Sequence, residues 1–332
     1  AEARRRRAAG SALRAADAAP AVPPRRHAAR RRAGDVVRPA ARSVGRAGGR
    51  GAPVTAAAAP TTVLGTLVTQ LATPCERALL VSDLHIPADG GAVLAALGDA
   101  VAAARAARTP LFLLGDVFDS YVARGQVRVG VWRDVAALLA TLAADGVPAH
   151  VLHGNRDFLL GAEFAAASRA AVVAGGLRAR LGGVDTLLLH GDELCQNDLP
   201  YQRTKRWLRH PLTRALARSL PVGLAVRAAA RARRRSAMVI AAGDQARFLP
   251  TAAAVDAAFA TGVARLVFGH IHRFSSGRRG EGAYRVLPAF DADPVGIAVD
   301  PVGWRAVRFH RGGQLEQVAD PGPCPLAERA GG

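Results

Sequence analysis

The chain has 332 residues, and half of them are hydrophobic, so it is long and apolar enough to bury at least one sizeable core. Its three cysteines are widely spaced and include no CxxC pair, which argues against a disulfide framework and against a thiolate zinc site. The net charge of +19 is carried by residues 1–60 and 203–235, at +11 each, so the rest of the chain sums to −3. This distribution argues against a core built to bind nucleic acid.

Residues 1–60 are rich in Ala, Arg, Pro and Gly and have few large hydrophobic side chains. Because such a segment cannot bury enough apolar surface to fold, we predict a disordered arm that extends to residue 75. Its composition resembles that of an organellar transit peptide, but we favour a wrongly assigned upstream start, with the true start near Val54 or Val63. No stretch of 18 uninterrupted apolar residues occurs, so the sequence predicts no transmembrane helix.

From Ala78 onward, short apolar runs alternate with segments of helical periodicity, which is the pattern of an α/β fold. The predicted order is strand, helix, strand, helix, strand, then a hairpin that turns at Gly182 and Gly183, one more buried strand and a closing antiparallel set. The predicted strands are 78–82, 110–114, 149–153, 264–268, 284–287, 296–299 and 304–309, the hairpin is 178–189, and the helices are 91–108 and 127–145.

Each strong strand of the predicted core is followed by side chains that can bind a metal ion. They are Asp83, His85, Asp116, Asn155, His190, His270 and His272. Because the carboxyl ends of strands in open α/β sheets form binding sites, we expect these side chains to converge. With one carboxylate shared, they can give each of two divalent ions four ligands. Carboxylate, amide and imidazole donors without Cys suit manganese, iron or zinc better than calcium or magnesium.

The residues around the candidate ligands support the same interpretation. Asp83 and His85 are alternate residues, as are His270 and His272, so in an extended segment both members of each pair point to the same side. A glycine directly precedes three of the candidate ligands, where a missing Cβ allows close approach to a metal or a phosphate. These glycines are Gly115, Gly154 and Gly269.

Each motif also has an ordinary structural alternative. An isolated DxH or HxH occurs by chance, GD is a common turn, and a single Asn after Gly is usually a loop residue. Their joint occurrence at successive strand ends argues against that alternative. The remaining histidines lack a partner motif and are not counted as ligands; they are His27, His150, His153, His210 and His310.

Five short motifs resemble the motif set of the calcineurin-like metallophosphoesterases. They are SDLH at 82–85, GDVFD at 115–119, GNRD at 154–157, HGD at 190–192 and GHIH at 269–272. The resemblance implies an αββα sandwich of two mixed sheets over residues 76–312, with an inserted helical cap at about 199–245 and a flexible tail at 313–332. Within this superfamily, the strings HGNRDFLLG from His153 and HGDELC from His190 resemble the UDP-2,3-diacylglucosamine hydrolases of lipid A biosynthesis.

The resemblance also implies roles for individual residues. One metal ion would be held by Asp83, His85, Asp116 and His272, and the other by Asp116, Asn155, His190 and His270. Catalysis would use Asp116, Asn155 and Arg156, and the substrate would contact Asn155, Arg156, Asp198, Tyr201 and His270. The implied cofactor is a pair of divalent ions, with Mn²⁺ as the preferred identity.

The implied substrate is a UDP-linked diacylated glucosamine, cleaved in the cytoplasm to UMP and 2,3-diacylglucosamine 1-phosphate. Arg156 favours cleavage of a diphosphate over cleavage of an alkyl ester. Arginine cannot act as a general acid near neutral pH, but it can clamp phosphate oxygens in a bidentate fork. A departing phosphate needs no such acid, because it is already a good leaving group.

The segment after Tyr201 has an amphipathic and basic pattern, with leucines at every fourth position from Leu208 to Leu220. Pro211 and Pro221 are expected to divide it into short helices. Such a cap could cover acyl chains and place its arginines against anionic headgroups, which predicts peripheral association with the cytoplasmic face of the inner membrane. Helices that pack on the core and expose a solvated basic face are an equally good explanation.

Two other functions stay open. After Ser236, the Asn and Lys positions of the family pattern are not recognisable, so a dinuclear-metal phosphoesterase acting on nucleotides or small phosphodiesters is one alternative. A basic protein that binds RNA or DNA through the two arginine-rich stretches is the other. The near-neutral core, the presence of only three Tyr and three Trp, and the intact ligand set argue against nucleic acid as a partner.

Overall fold

Two β-sheets form the centre of the fold, and helices lie outside them. The computed structural model describes residues 61–242 and 245–328. The helices are α1 (Gly91–Ala106), α2 (Gly130–Ala144), α3 (Ala162–Ser168), α4 (Leu199–Leu208), α5 (Pro211–Ser219), α6 (Val222–Ala242) and α7 (Ala252–Phe259). The strands are β1 (Thr61–Val63), β2 (Thr66–Gln70), β3 (Ala78–Val81), β4 (Leu111–Leu113), β5 (Ala149–Leu152), β6 (Ala171–Val173), β7 (Gly176–Leu181), β8 (Val184–Leu188), β9 (Arg265–Phe268), β10 (Ser275–Arg279), β11 (Gly282–Val286), β12 (Val295–Asp300), β13 (Gly303–His310) and β14 (Gln314–Gln317).

The two sheets pack face to face. The strand order is β14-β13-β12-β3-β4-β5-β6 in the first sheet and β1-β2-β7-β8-β9-β11-β10 in the second. Alternate residues of β3 have different neighbours: Leu80 packs in one buried cluster with Val267 of the second sheet, whereas Leu79 packs with Leu97 of α1. Helix α7 covers the outer side of the second sheet through Val255. The predicted αββα sandwich is confirmed.

The predicted order of strand, helix, strand, helix and strand between residues 78 and 153 is confirmed. Strands β3, β4 and β5 are parallel neighbours, with Leu80 opposite Phe112 and Phe112 opposite His150. Because they are parallel, their carboxyl ends reach the same edge of the sheet. The hairpin is confirmed as well, since β7 and β8 are antiparallel and turn at Gly182 and Gly183, both of which have positive φ.

The prediction of one closing antiparallel set is wrong. Strands β12 and β13 are antiparallel neighbours in the first sheet. Strand β11 instead belongs to the second sheet, where it is parallel to β9 and antiparallel to β10. Alternation of apolar and polar residues identifies a strand, but it does not identify the strand that will pair with it.

The predicted boundaries of the terminal segments also need correction. Residues 61–75 are not part of an arm, because β2 pairs in parallel with β7 and Cys75 bridges to Leu181. The tail is held as well: β14 pairs with β13, and Cys324 is buried in the outer cluster of the second sheet. The arm predicted for residues 1–60 lies outside the described residues. Short segments of this kind acquire order from the sheet they join, which their composition does not reveal.

Helices α4, α5 and α6 occupy the segment that is predicted to be a cap. Pro211 begins α5 and Pro221 directly precedes α6, which confirms the predicted division at the two prolines. The expectation that all the resulting helices are short is wrong, because α6 has 21 residues. Several large apolar side chains of these helices lie on the surface, since Trp207, Leu212 and Leu216 are 66%, 75% and 67% exposed. Within the described ranges, none of the helices combines the length and the hydrophobicity that crossing a bilayer requires.

Candidate active site

The candidate ligands follow the ends of strands from both sheets. Asp83, Asp116 and Asn155 come shortly after the parallel strands β3, β4 and β5 of the first sheet. His190 and His270 come two residues after β8 and β9, which are parallel neighbours in the second sheet. One end of the sandwich therefore receives candidate ligands from both of its layers.

The backbone at these positions is not extended, contrary to the prediction. Asp83 and His85 have φ angles of 55° and 45°, and His270 and His272 have φ angles of 70° and 53°. A left-handed φ is rare for residues that carry a Cβ and persists where the surrounding structure fixes it, often at functional sites. Here the amide of His85 donates to the carbonyl of Asp116 at 2.9 Å, which ties this turn to the one after β4.

One half of the site is formed by Asp83, His85 and His272. Nε2 of His272 lies 3.4 Å from Oδ1 of Asp83, and Nε2 of His85 lies 3.8 Å from the same oxygen. The other carboxylate oxygen of Asp83 accepts hydrogen bonds from the Ser82 hydroxyl at 2.6 Å and from the amide of His270 at 2.8 Å. Oδ1 of Asp83 is thus left to face two imidazole nitrogens, an arrangement that can hold a metal ion.

The other half is formed by Asp116, Asn155 and His190. Nε2 of His190 lies 2.9 Å from Oδ1 of Asn155 and 3.8 Å from Oδ1 of Asp116. Nδ1 of His190 lies 2.9 Å from the carbonyl oxygen of Leu114, so this nitrogen carries a proton, and Nε2 is the nitrogen that could bind a metal ion after losing its own proton. Oδ2 of Asp116 lies 3.4 Å from Nε2 of His85. Asp116 therefore contacts both halves, as a bridging carboxylate would.

Two buried atoms at the centre of the site have no hydrogen-bond partner among the described residues. They are Oδ1 of Asp83 and Nε2 of His85. A buried polar atom without a partner is costly, and a carboxylate oxygen beside an imidazole nitrogen is a typical donor pair for a divalent transition-metal ion. The donor set therefore fits the metal ions that the sequence predicts.

Two glycines allow the ligand loops to approach each other. A Cβ at Gly154 would overlap Oδ1 of Asp116, and a Cβ at Gly269 would overlap Oδ2 of Asp83. No larger residue fits these positions without displacing a carboxylate. This is the close approach that the glycines before the candidate ligands predict.

The charges of the site favour bound cations. Burial alone would lower the pKa of His85, but the neighbouring Asp116 and Asp291 carboxylates raise it to about 9. Without a metal ion, this imidazole would hold a proton at neutral pH, because the surrounding carboxylates stabilise its charged form. Burial and the charge of His190 lower the pKa of His270 to about 4, so that its imidazole is neutral, the form that binds metals.

Arg156 lies at the mouth of the site. Its amide donates to Oδ1 of Asp116 at 2.9 Å, its Nε lies 3.3 Å from Oδ2 of the same residue, and its Nη1 lies 3.3 Å from Asp119. The side chain is 30% exposed, so a ligand can reach the guanidinium. Asp157 holds the loop in place by accepting from the amides of Gly154 and Val117, each at 2.8 Å.

Asp198 and Tyr201, predicted to contact substrate, already have partners within the protein. Asp198 forms an ion pair with Arg247 at 3.1 Å. The hydroxyl of Tyr201 donates to Oδ2 of Asp192 at 2.5 Å, while its ring lies 6.2 Å from the ring of His270. Tyr201 is thus beside the candidate metal ligands, and contact of either side chain with substrate stays a prediction.

Two carboxylates near the candidate ligands are not predicted from the sequence. Asp192 is buried and lies 2.8 Å from Nζ of Lys205. Tyr201, Lys205 and Arg209 recur at every fourth position, the spacing of one helix face, and this signal could have revealed a shared acidic partner. Asp291 lies 3.2 Å from Nδ1 of His85, where it can orient the imidazole. The local sequence does not predict the role of Asp291, because its contact with His85 joins positions that are more than two hundred residues apart.

Comparison with known proteins agrees with this geometry. A family model described as calcineurin-like phosphoesterase matches residues 76–274. A UDP-2,3-diacylglucosamine hydrolase of Ralstonia nicotianae is 37% identical over 224 residues, which cover 64% of this chain and 83% of that relative. A UDP-2,3-diacylglucosamine hydrolase of Yersinia pestis is 33% identical over 197 residues, which cover 59% of this chain and 81% of that relative.

Proposed function

Because the chain belongs to the calcineurin-like phosphoesterase family, we propose that it hydrolyses UDP-2,3-diacylglucosamine to UMP and 2,3-diacylglucosamine 1-phosphate. The observation that carries the proposal is the meeting of candidate ligands from both sheets around buried atoms that make no hydrogen bond to any described residue. The two relatives named as hydrolases of this lipid diphosphate supply the substrate class.

The proposed cofactor is a pair of divalent ions, with Mn²⁺ as the proposed identity. One ion would be held by Asp83, His85, Asp116 and His272, and the other by Asp116, Asn155, His190 and His270. When bound, such ions lower the pKa of water and stabilise the charge that develops on phosphate oxygens. The short contacts of Asp116 with both halves of the site support its position between them.

Arg156 would orient the diphosphate. Its guanidinium is held by Asp116 and Asp119, partly exposed, and able to donate two parallel hydrogen bonds to phosphate oxygens. Because an arginine side chain does not serve as a general acid, Arg156 would assist a leaving group that needs none, such as a phosphate. Asn155, beside His190, would contact the same phosphate, and His270, Asp198 and Tyr201 would complete the substrate contacts.

The cap would receive the acyl chains and rest against the cytoplasmic face of the inner membrane. Exposed Trp207, Leu212 and Leu216 provide an apolar surface, and exposed Arg227 and Arg231 add positive charge. Co-sedimentation with anionic vesicles, compared with zwitterionic ones, tests this part of the proposal. The double variant Leu212→Ser, Leu216→Ser should reduce binding, and equal binding by the variant would contradict it.

The reaction is tested with purified protein, Mn²⁺ and UDP-2,3-diacylglucosamine, with UMP measured as the product. Asp116→Ala removes a ligand from both ions and should lower kcat by about a thousandfold or more. Asp134→Ala, an exposed carboxylate on α2, is the matched control and should keep wild-type activity. Near-normal turnover by Asp116→Ala would reject the site.

A second candidate is hydrolysis of nucleotides or small phosphodiesters by the same centre. It is favoured by the departure from the family pattern after Ser236, in the part of the cap where substrate contacts are expected. Parallel assays with the lipid diphosphate and bis-p-nitrophenyl phosphate separate the two candidates. Turnover of the small diester alone would replace the first proposal with the second.

A further inference from the structure

Away from the candidate active site, three arginines lie side by side on the inner face of the second sheet. Ala283 of β11 pairs with Arg265 of β9 on one side and with Arg278 of β10 on the other. Arg285 follows two residues after Ala283 and so points to the same face. Arg265 begins β9, whereas His270 follows the end of that strand, about 15 Å further along. The arginines therefore lie at the opposite end of the sandwich.

Arg265 is partly buried, and none of the carboxylates in the described part of the chain pairs with it. Its guanidinium carbon lies 4.3 Å from the ring centroid of Trp304, which belongs to β13 of the facing sheet. Nη1 of Arg265 and Nε1 of Trp304 are both buried, and neither makes a hydrogen bond to any residue in the described ranges. Burial and the charges of Arg285 and Arg278 lower the pKa of Arg265. A desolvated cation beside two like charges is unfavourable, and a bound counter-ion would stabilise it.

The neighbouring arginines are only partly neutralised. Nη1 of Arg285 lies 3.1 Å from Oδ1 of Asp320, whose side chain is 67% exposed. Arg278 donates to the carbonyl oxygen of Glu281 at 3.0 Å, which adds no negative charge. Among residues 61–242 and 245–328, the three guanidinium groups thus share one carboxylate, which leaves an excess of two positive charges.

We propose that Arg265, Arg278 and Arg285 form a binding site for a phosphate group, separate from the candidate catalytic centre. Guanidinium forks match the geometry of phosphate oxygens, and a dianionic phosphate would offset the excess charge. The free indole N–H of Trp304 is a further donor at this end of the sandwich. Inorganic phosphate and a nucleoside monophosphate share this chemistry, so each forms one arm of the test.

The test is calorimetric titration of metal-free full-length protein, prepared with EDTA, at low ionic strength. Inorganic phosphate and UMP are titrated separately, and the tighter ligand identifies the source of the phosphate. Arg265→Met should weaken binding about tenfold or more, and Arg265→Lys, which keeps the charge but not the fork, should weaken it less. Arg305→Met is the matched control on β13, because Arg305 is already paired with Asp300.

Two outcomes would overturn the proposal. One is the absence of binding by either ligand. The other is loss of binding in Arg156→Met instead of Arg265→Met, because the phosphate would then occupy the candidate catalytic centre. Neither outcome depends on whether the proposed hydrolysis occurs.

A spectroscopic measurement on the wild-type protein keeps the test valid even where a variant does not fold. In ¹⁵N-labelled protein, phosphate should shift the indole N–H resonance of Trp304, identified by its loss in Trp304→Phe. The indole of Trp132 donates to the carbonyl oxygen of Ser120 at 3.1 Å and serves as the internal control. Phosphate binding that leaves the Trp304 resonance unmoved would place the ligand elsewhere and reject the site.

Discussion

Asp192 joins the cap to the candidate active site, so its replacement by Asn tests how the cap is held. Oδ2 of Asp192 accepts the Tyr201 hydrogen bond and lies 2.8 Å from Nζ of Lys205 and 3.6 Å from Nη2 of Arg209. Tyr201 and Lys205 lie one turn apart on helix α4, Arg209 directly follows the end of that helix, and Asp192 itself follows His190 by two residues. Asp192→Asn would remove the charge that fixes α4 beside the candidate metal ligands.

The expected loss of stability follows from burial. The side chains of Asp192 and Lys205 are 1% and 10% exposed, and removing one partner of a buried ion pair costs about 3–5 kcal/mol. Glu193 lies 3.8 Å from Lys205 and can replace part of the lost charge, while the Asn amide oxygen can still accept from Tyr201. We therefore expect the lower end, about 3 kcal/mol. Asp145→Asn, at an exposed pair with Arg105, should cost less than about 1 kcal/mol.

Urea unfolding of the metal-free proteins measures this difference without a contribution from bound ions. A double-mutant cycle with Lys205→Met adds a second test, because both changes break the same pair and their costs should not add. In the enzyme assay, KM for the lipid diphosphate should rise more than kcat falls, since the metal ligands stay in place. If Asp192→Asn costs no more stability than Asp145→Asn, the buried charge does not hold the cap and the reasoning fails.

Three further predictions concern the metal site and its surroundings. Gly154→Ala would press a Cβ against Asp116 and should abolish retention of Mn²⁺ on dialysis. Gly98→Ala, at a position with open space around it, should retain the metal, and equal metal content in the two variants would contradict the prediction. Removal of metal by EDTA should lower the Tm of the wild type but not that of Asp116→Ala, and an unchanged wild-type Tm would count against the site. Burial and the charge of Asp192 raise the pKa of Glu193 from 4.5 to about 7, so its ionisation opposes folding and stability is lost as the pH rises through that range. The free energy of unfolding of Glu193→Gln, measured in urea relative to that of the wild type, should therefore increase between about pH 5 and about pH 8. A difference between the two proteins that does not change with pH would refute the raised pKa of Glu193.

The sequence predicts those parts of the site that depend on single strands. All four residues of β3 are buried, so its apolar run is unambiguous, and Asp83 follows it after one residue. All three residues of β4 are buried as well, and Asp116 follows that strand after two residues. In β9 the last three residues are buried, and His270 follows after one residue. Where a short apolar run ends in a polar side chain, both the strand and the edge of the sheet that receives the side chain can be inferred.

The parts that the sequence does not predict depend on contacts between distant segments. Strand β11 could have paired in either sheet, because its alternation fits any half-buried position. Strand β2 has only five residues, and its order comes from β7, more than a hundred positions away. The left-handed turns at Asp83 and His270 carry no glycine at those positions, so nothing in the local sequence signals them.

The net charge of +19 is best understood by separating arginines that have partners from those that do not. In the body of the protein, Arg178 pairs with Asp185 and Arg308 with Asp293, so their fields largely cancel. Residues 203–235 contain no acid, and exposed charge in water acts over about 8–10 Å. Asp192 offsets part of this charge by pairing with Lys205 and Arg209. Because α4 lies beside the candidate metal ligands, the remaining positive field acts near the mouth of the site. We infer that the excess charge attracts an anionic ligand to the cap, where a diphosphate would meet Arg156, and that it does not make the αββα core a surface for nucleic acid.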